Sequence, residues 1–282
     1  MSHIDEHAEK EHPFIAGSAL LILPAVVLGV LAMIHGGVSP ARWVQQIAAW
    51  AVFALLAWPL RRVAGKLSAA VWTVLLLIPL AATLLGEEVG GATRWLDLGV
   101  VNVNAAMLVL PALVIMLHRV SQPFPALLAA AAVLCLQPDL SQLAAFSAAM
   151  LPLLWSRRKE RLFSLAGLLT LAASVVLCLL SPSSVEPVEY SEGVLAMLFA
   201  LSPLLMAAGV VFLAAVPAFF GVRFLRLRQP HLLSLAAYYA VLMLFILPGT
   251  YPVPFIGFGL SPIAGYYLAC LCGASARRGA SN

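Results

Sequence analysis

Charge is what this chain has least of. Only 10% of its 282 residues are Asp, Glu, Lys or Arg, against about 25% in soluble domains. No stretch interleaves basic and aromatic residues, which excludes nucleic acid as a partner. Cysteine is nearly as scarce. Cys135, Cys178, Cys270 and Cys272 all fall in apolar runs, so they read as small apolar residues and not as a disulfide framework. The chain also lacks the basic-then-apolar opening of a secretory signal. It begins MSHIDEHAEKEH, with His3, His7 and His12, which reads as a disordered, solvated tail more readily than as a metal site.

What is present is apolar sequence, 63% by composition. Apolar runs of about 18 residues or more indicate membrane spans. Breaks between the runs place ten spans at about 14–35, 43–60, 68–86, 104–118, 124–137, 140–156, 162–181, 193–218, 232–248 and 261–275. The predicted fold class is all-α, a polytopic transmembrane helical bundle. The fifth and sixth spans meet at Pro138. Read as one helix, Val120 to Ser156 would run roughly 55 Å at about 1.5 Å per residue. One crossing needs only about 30 Å, so two short spans fit better.

The distribution of basic residues tests this count. With ten spans and both ends inside, fourteen of the sixteen basic residues face the cytoplasm. They are Lys10, Arg61, Arg62, Lys66, Arg119, Arg157, Arg158, Lys159, Arg161, Arg223, Arg226, Arg228, Arg277 and Arg278. Only Arg42 and Arg94 lie outside. Fusing spans five and six would put the two flanking basic clusters on opposite faces. The same count puts Glu87, Glu88, Asp97, Asp139, Glu186, Glu189 and Glu192 on the outer face.

Three outer segments carry unusual sequence. In Gly90 to Gly99 (GGATRWLDLG), the glycines permit a tight turn. Arg94 and Trp95 there suit either an interfacial anchor or a phosphate contact. In Gln137-Pro138-Asp139, a carboxylate sits between two short spans. It is a functional candidate, and it also suits a helix cap. Pro248 to Ser261 (PGTYPVPFIGFGLS) holds three prolines and three glycines, so it cannot be a regular helix. Such apolar, non-helical backbone is tolerated at membrane depth where it packs in protein or lines a cavity.

Together these segments resemble the SEDS family (shape, elongation, division and sporulation). Gly91 to Gly99 matches the family's Gly-Ala-x-Arg-Trp-[Ile/Leu]-x-Leu-Gly. Gln137 to Leu140 matches the start of Gln-Pro-Asp-Leu-Gly-Thr. Pro252 to Ser261 matches Pro-Leu-Pro-Phe-[Ile/Val]-Ser-Tyr-Gly-Gly-Ser in part. The resemblance implies a SEDS-like transmembrane domain over 14–275, flanked by cytoplasmic tails 1–13 and 276–282. It implies multi-pass residence in a bacterial inner membrane and glycan-strand polymerisation from lipid II, or a related polyprenyl-linked sugar, on the outer face. A single-span penicillin-binding transpeptidase is the implied partner.

The family's essential acid falls on Glu192 when its outer-loop pattern is laid on Pro187 to Ala196. That makes Glu192 the implied catalytic base. Arg94, Asp139, Gln137 and Ser261 are the implied substrate-binding residues. Gly91, Trp95, Gly99, Pro138, Pro252, Pro254, Phe255 and Gly259 form the matched motifs. The leaving diphosphate needs an Arg or a divalent cation, Mg or Mn, and Arg94 is the expected contribution of the protein. Three departures stand out. The catalytic loop is short, Tyr190 replaces the family's His, and Asn104 to Leu110 (NAAMLVL) lacks the family's Glu and Lys. Two alternatives follow: a catalytically inactive scaffold or regulator in a cell-wall complex, and a lipid-linked sugar transporter or flippase.

The topology makes a direct prediction. Reporter fusions at Arg62, Lys159 and Arg226 should read as cytoplasmic, and one at Pro187 as external. A cytoplasmic signal at Pro187 contradicts both the span count and the site.

Overall fold

The structure is a computed structural model. It describes residues 2–99, 101–181, 183 and 185–275, and only the backbone of 2–16, 58, 61–63, 274 and 275. The expected tail 276–282 and the side chains of His3, His7 and His12 lie outside the described residues. Eleven α-helices and one short hairpin make up the described architecture. They are α1 (Ser2–His35), α2 (Pro40–Ala64), α3 (Ala69–Ala82), α4 (Ala105–Leu117), α5 (Phe124–Leu136), α6 (Leu140–Ser156), α7 (Arg161–Leu180), α8 (Val194–Leu201), α9 (Pro203–Leu227), α10 (Pro230–Phe245) and α11 (Leu260–Ser275). Each of the ten expected spans falls on a helix or a helix pair. By length and composition, α1, α7 and α9 contain stretches long and apolar enough to cross a membrane; α3, α4, α5, α6, α10 and α11 are shorter apolar helices.

Two elements differ from the sequence-based reading. The backbone of α1 runs back to Ser2 through the polar segment read as a disordered tail. The eighth span is broken into α8 and α9 by the extended Ser202 (φ −168°, ψ 134°). Pro203 follows it and has no N–H to donate, and Ser202 Oγ instead accepts from Leu204 N at 3.3 Å, so the side chain caps the new helix.

Small residues let the helices approach closely, as expected where no hydrophobic effect drives helices together in lipid. The α4–α11 contact depends on Gly265. A Cβ there would sit 2.1 Å from the Met107 carbonyl oxygen and 2.8 Å from that of Leu108. Further in, Phe220, Tyr239, Phe255 and Tyr266 pack ring to ring, with centroids 5.6 to 6.2 Å apart. This aromatic cluster joins α9, α10 and α11 to the segment before α11.

The loops sort by end. The segments 36–42, 83–104, 137–139, 181–193 and 246–259, all assigned to the outer face, meet at one end of the bundle. There Arg42 contacts Tyr190, Arg94 contacts Pro138 and Ser183, Asn104 contacts Ser261, and Val253 contacts Ser191. At the opposite end, Arg157 donates to the carbonyls of Val120 and Ser121, at 2.8 and 2.6 Å, and His118 bonds Ser234 at 2.8 Å. Two sets of loops defined only by charge therefore occupy two ends in space.

Gly265→Ala should destabilise the protein by about 1–3 kcal/mol, the usual cost of overpacking, read as a lower Tm in detergent. Gly221→Ala is the control, because a Cβ there meets nothing within 4 Å. It should be neutral or slightly stabilising.

Candidate functional site at the outer end of the bundle

The outer end encloses a cavity of about 660 Å³. Its wall includes Arg42, Trp95, Glu186, Glu192, Phe258 and Ser261. Beneath it lies a void of about 10 Å³, water-sized, bordered by Arg94, Asp139, Glu186 and Glu192. Glu192 borders both spaces. The structure thus brings Glu192, Asp139 and Arg94 together, and Pro252, Val253, Gly257, Phe258, Gly259 and Ser261 form part of the larger wall.

Glu192 is set by the turn that precedes α8. The backbone N–H groups of Ser191 and Glu192 both bond Val188 O at 2.9 Å. The Glu192 carboxylate bends back to accept from Val188 N at 2.7 Å. The side chain is half-buried, not the freely solvated loop glutamate its sequence suggests. Burial pushes its carboxyl above the ordinary glutamate range; the hydrogen bonds and Arg94 oppose this only in part. A carboxylate so placed is a stronger base than one in water.

The turn is in turn pinned by the non-helical segment before α11. Val253 N donates to Ser191 O at 3.2 Å, and Phe258 N to Tyr190 O at 2.9 Å. Gly257 permits this approach, because a Cβ there would lie 2.4 Å from Ser191 O. Gln46, fully buried on α2, holds the segment from the other side. Its Nε2 donates to the carbonyls of Phe255 and Gly257, both at 2.9 Å. Its Oε1 accepts from Gly259 N at 3.0 Å. Phe255 adopts φ +66°, a conformation unfavourable for a bulky residue that this clamp and the aromatic cluster maintain.

Asp139 and Arg94 form a buried pair, 3.7 Å from Nε to Oδ2, with side chains 3% and 7% exposed. Arg94 also donates to Pro138 O and Ser183 Oγ. Asp139 caps α6, accepting from Gln142 N at 3.2 Å and from Ser141 Oγ at 2.8 Å. Asp139 therefore caps α6, and it also borders the small void. The Arg94 guanidinium pairs with the Asp139 carboxylate and donates to Pro138 O and Ser183 Oγ, and it borders the small void and not the large cavity.

Other expected residues take more distinct places. Ser261 Oγ accepts from Asn104 N at 2.8 Å and lines the large cavity. Gln137 does not line either space. It is buried and donates to Leu80 O and Thr83 Oγ1, tying α5 to the end of α3. Trp95 opens a hairpin, β1 (Trp95–Asp97) with β2 (Asn102–Asn104), paired antiparallel with Trp95 opposite Asn104. Gly99 (φ +81°) lies between the two strands, and Gly91 (φ +78°) in the tight turn from Val89 to Ala92 that precedes them. Pro254 and Phe255 are buried under the cavity floor.

Two residues were missed by sequence reasoning. Arg42 is exposed on the cavity wall. It donates to Tyr190 Oη and lies 4.7 Å above the Tyr190 ring and 5.6 Å from that of Phe258. Its signal was its rarity, as one of two outer basic residues. Gln46 was flagged by nothing except a Gln-Gln pair inside an apolar span. Among the described residues no three His, Cys, Asp or Glu side chains cluster as a metal site. The carboxylates of Glu87, Asp97, Glu186 and Glu192 do ring the cavity. This all-oxygen set suits a hard cation shared with substrate phosphates, since Mg²⁺ is commonly held by one or two carboxylates only.

No protein-family profile and no curated sequence matches the chain. Solved structures do. The rod shape determining protein RodA of Thermus thermophilus matches with a TM-score of 0.61 at 18% identity, over 90% of this chain and 95% of that one. A point mutant of it matches with a TM-score of 0.56 at 20% identity, over the same shares. A chain from a structure described as a peptidoglycan synthase complex coordinating polymerisation and crosslinking matches with a TM-score of 0.55 at 21% identity, over 91% and 96%. The chain has the RodA fold over nearly its whole length.

Proposed function

We propose that this chain, which carries the RodA fold and three SEDS-like motifs, is a glycosyltransferase. It polymerises glycan strands from lipid II, or a related polyprenyl-diphosphate-linked sugar, at the outer membrane face. One observation carries the reading: the half-buried Glu192 carboxylate faces a cavity of about 660 Å³ that also presents the Arg42 guanidinium.

In the proposed reaction the 4-hydroxyl of the acceptor sugar attacks the anomeric carbon of the donor. The new C–O bond forms as the bond from that carbon to the diphosphate oxygen breaks. Glu192 takes the hydroxyl proton, and the polyprenyl diphosphate leaves with the bonding pair. Arg42 replaces Arg94 as the protein's cation for the diphosphate, because it alone of the two lies on the cavity wall. Arg94 and Asp139 position the floor below Glu192. A divalent cation, held by the Glu186 carboxylate and the substrate's phosphates, would supply further charge neutralisation. A penicillin-binding transpeptidase remains the proposed partner.

The second reading, an inactive scaffold in a cell-wall complex, is favoured by α4. Met107 and Leu110, both buried there, stand where the resemblance implies a Glu and a Lys. Losing both charges together is structurally tolerable, and it removes two charged groups from the neighbourhood of the site.

The test is polymerisation of purified lipid II. Glu192→Gln keeps the bond from Val188 N through its amide oxygen but is no base, so the rate should fall by about 10²- to 10⁴-fold. Glu189→Gln, which lines neither space, should keep most activity, and Glu192→Asp should keep part of it. The base must be unprotonated to work. Since its pKa is raised, activity should fall with acidification at a pH above that of an ordinary glutamate and not at its usual value. Undiminished activity in Glu192→Gln removes Glu192 as base. A wild type inactive under all conditions, with Glu192→Gln still complementing a deletion strain, supports the scaffold.

A further inference from the structure

The opposite end of the bundle carries a second cavity, unrelated to the outer site. It is a groove of about 530 Å³ between α6, α7, α9 and α10, within the size range of ligand sites, about 300–1,000 Å³. α6 and α10 pack on each other, with α7 against α6 on one side and α9 against α10 on the other, and the furrow lies between these flanking helices. Leu151, Leu154, Trp155, Leu168, Phe224 and Leu233 make its wall. Several of these are open to the surroundings: Leu151 by 51%, Leu168 by 48% and Trp155 by 71%.

The mouth is charged. Arg158 lines it, with its guanidinium 5.0 Å from the Trp155 ring centroid and donating to Trp155 O at 3.2 Å. Glu160, the acidic residue of this loop, is paired with Arg157 at 3.8 Å. No carboxylate pairs with Arg158 among the described residues. Two basic clusters flank the furrow, Arg157 to Arg161 at the α6–α7 turn and Arg226 and Arg228 at the end of α9. By the charge count both lie on the cytoplasmic side. A tryptophan at that level sits where headgroups meet hydrocarbon.

We propose that this groove is a binding site for one anionic phospholipid of the cytoplasmic leaflet. Its acyl chain lies along Leu151, Leu168, Phe224 and Leu233, and its phosphate is met by Arg158. Charge complementarity selects this occupant. A basic pocket between membrane helices on the cytoplasmic side matches an anionic headgroup. A purely apolar partner helix would offer the Arg158 guanidinium no counter-charge.

The test is native mass spectrometry of the detergent-purified protein, titrated with phosphatidylglycerol or with phosphatidylcholine of identical acyl chains. Wild type should retain one phosphatidylglycerol in preference to phosphatidylcholine. Arg158→Gln should weaken phosphatidylglycerol about fivefold, equivalent to about 1 kcal/mol for one basic residue at the surface, and leave phosphatidylcholine unchanged. Leu168→Trp fills the furrow and should weaken both lipids. Leu151→Trp does the same from α6 if the first variant fails to fold. Equal retention of the two lipids by wild type, or undiminished phosphatidylglycerol in Arg158→Gln, overturns the proposal. Unchanged lipid retention in the tryptophan variants, with loss of a self-associated species, would instead assign the groove to a helix of a second copy.

Discussion

One buried side chain does what the membrane environment otherwise forbids. Between α10 and α11 the chain runs through 14 residues that make no helix, from Ile246 to Gly259. Where such backbone is buried, each polar group needs a partner inside the protein. Gln46 supplies three at once, two donors and one acceptor, to Phe255, Gly257 and Gly259. It spends both protons of its amide and one lone pair of its oxygen on backbone. Gly29 on α1 closes the other side, since a Cβ there would fall 1.9 Å from Ile256 O. The segment is therefore fixed by backbone contacts that almost no substitution preserves.

From this clamp the site follows. The segment holds the turn Val188 to Gly193 through Ser191 and Tyr190, and the turn aims Glu192. The two acids of the site then differ by environment. Asp139 is charge-paired, doubly hydrogen-bonded and committed to a helix end. Glu192 is desolvated and is held by its own turn, with Arg94 offsetting the burial only in part. Arg42 completes the arrangement by bridging the α1–α2 turn to Tyr190 and Phe258, so four outer segments share one wall.

The fold was legible because a membrane restricts the options. Apolar length, proline breaks and basic asymmetry placed most helices within a few residues of their observed ends. The same charge pattern sorted the loops into two groups that meet at two ends. Where the reading fell short, the information was not periodic. The break at Ser202 is a single extended residue inside an apolar run. Arg94 reads from the sequence as suited to a phosphate; its pairing with Asp139 is visible only in the fold. Gln46 and Arg42 act on residues between 148 and 216 positions away, and no local pattern encodes such contacts. The motif match at Glu192 did lead to the cavity, since a short acidic loop before a span is visible in sequence.

The central claim is that Gln46 holds the Glu192 turn through the segment before α11. Hydrogen exchange of Gln46→Leu against wild type tests it most directly. Leucine fills the space but leaves the carbonyls of Phe255 and Gly257 and the N–H of Gly259 unpaired, at about 1–3 kcal/mol each. Amides of 253–259 and of 188–193 should then exchange faster together, by tenfold or more, while α4 and α6 stay protected. Unchanged exchange in 188–193, with or without a change near Gly259, would contradict the claim, because the turn would then stand without the clamp.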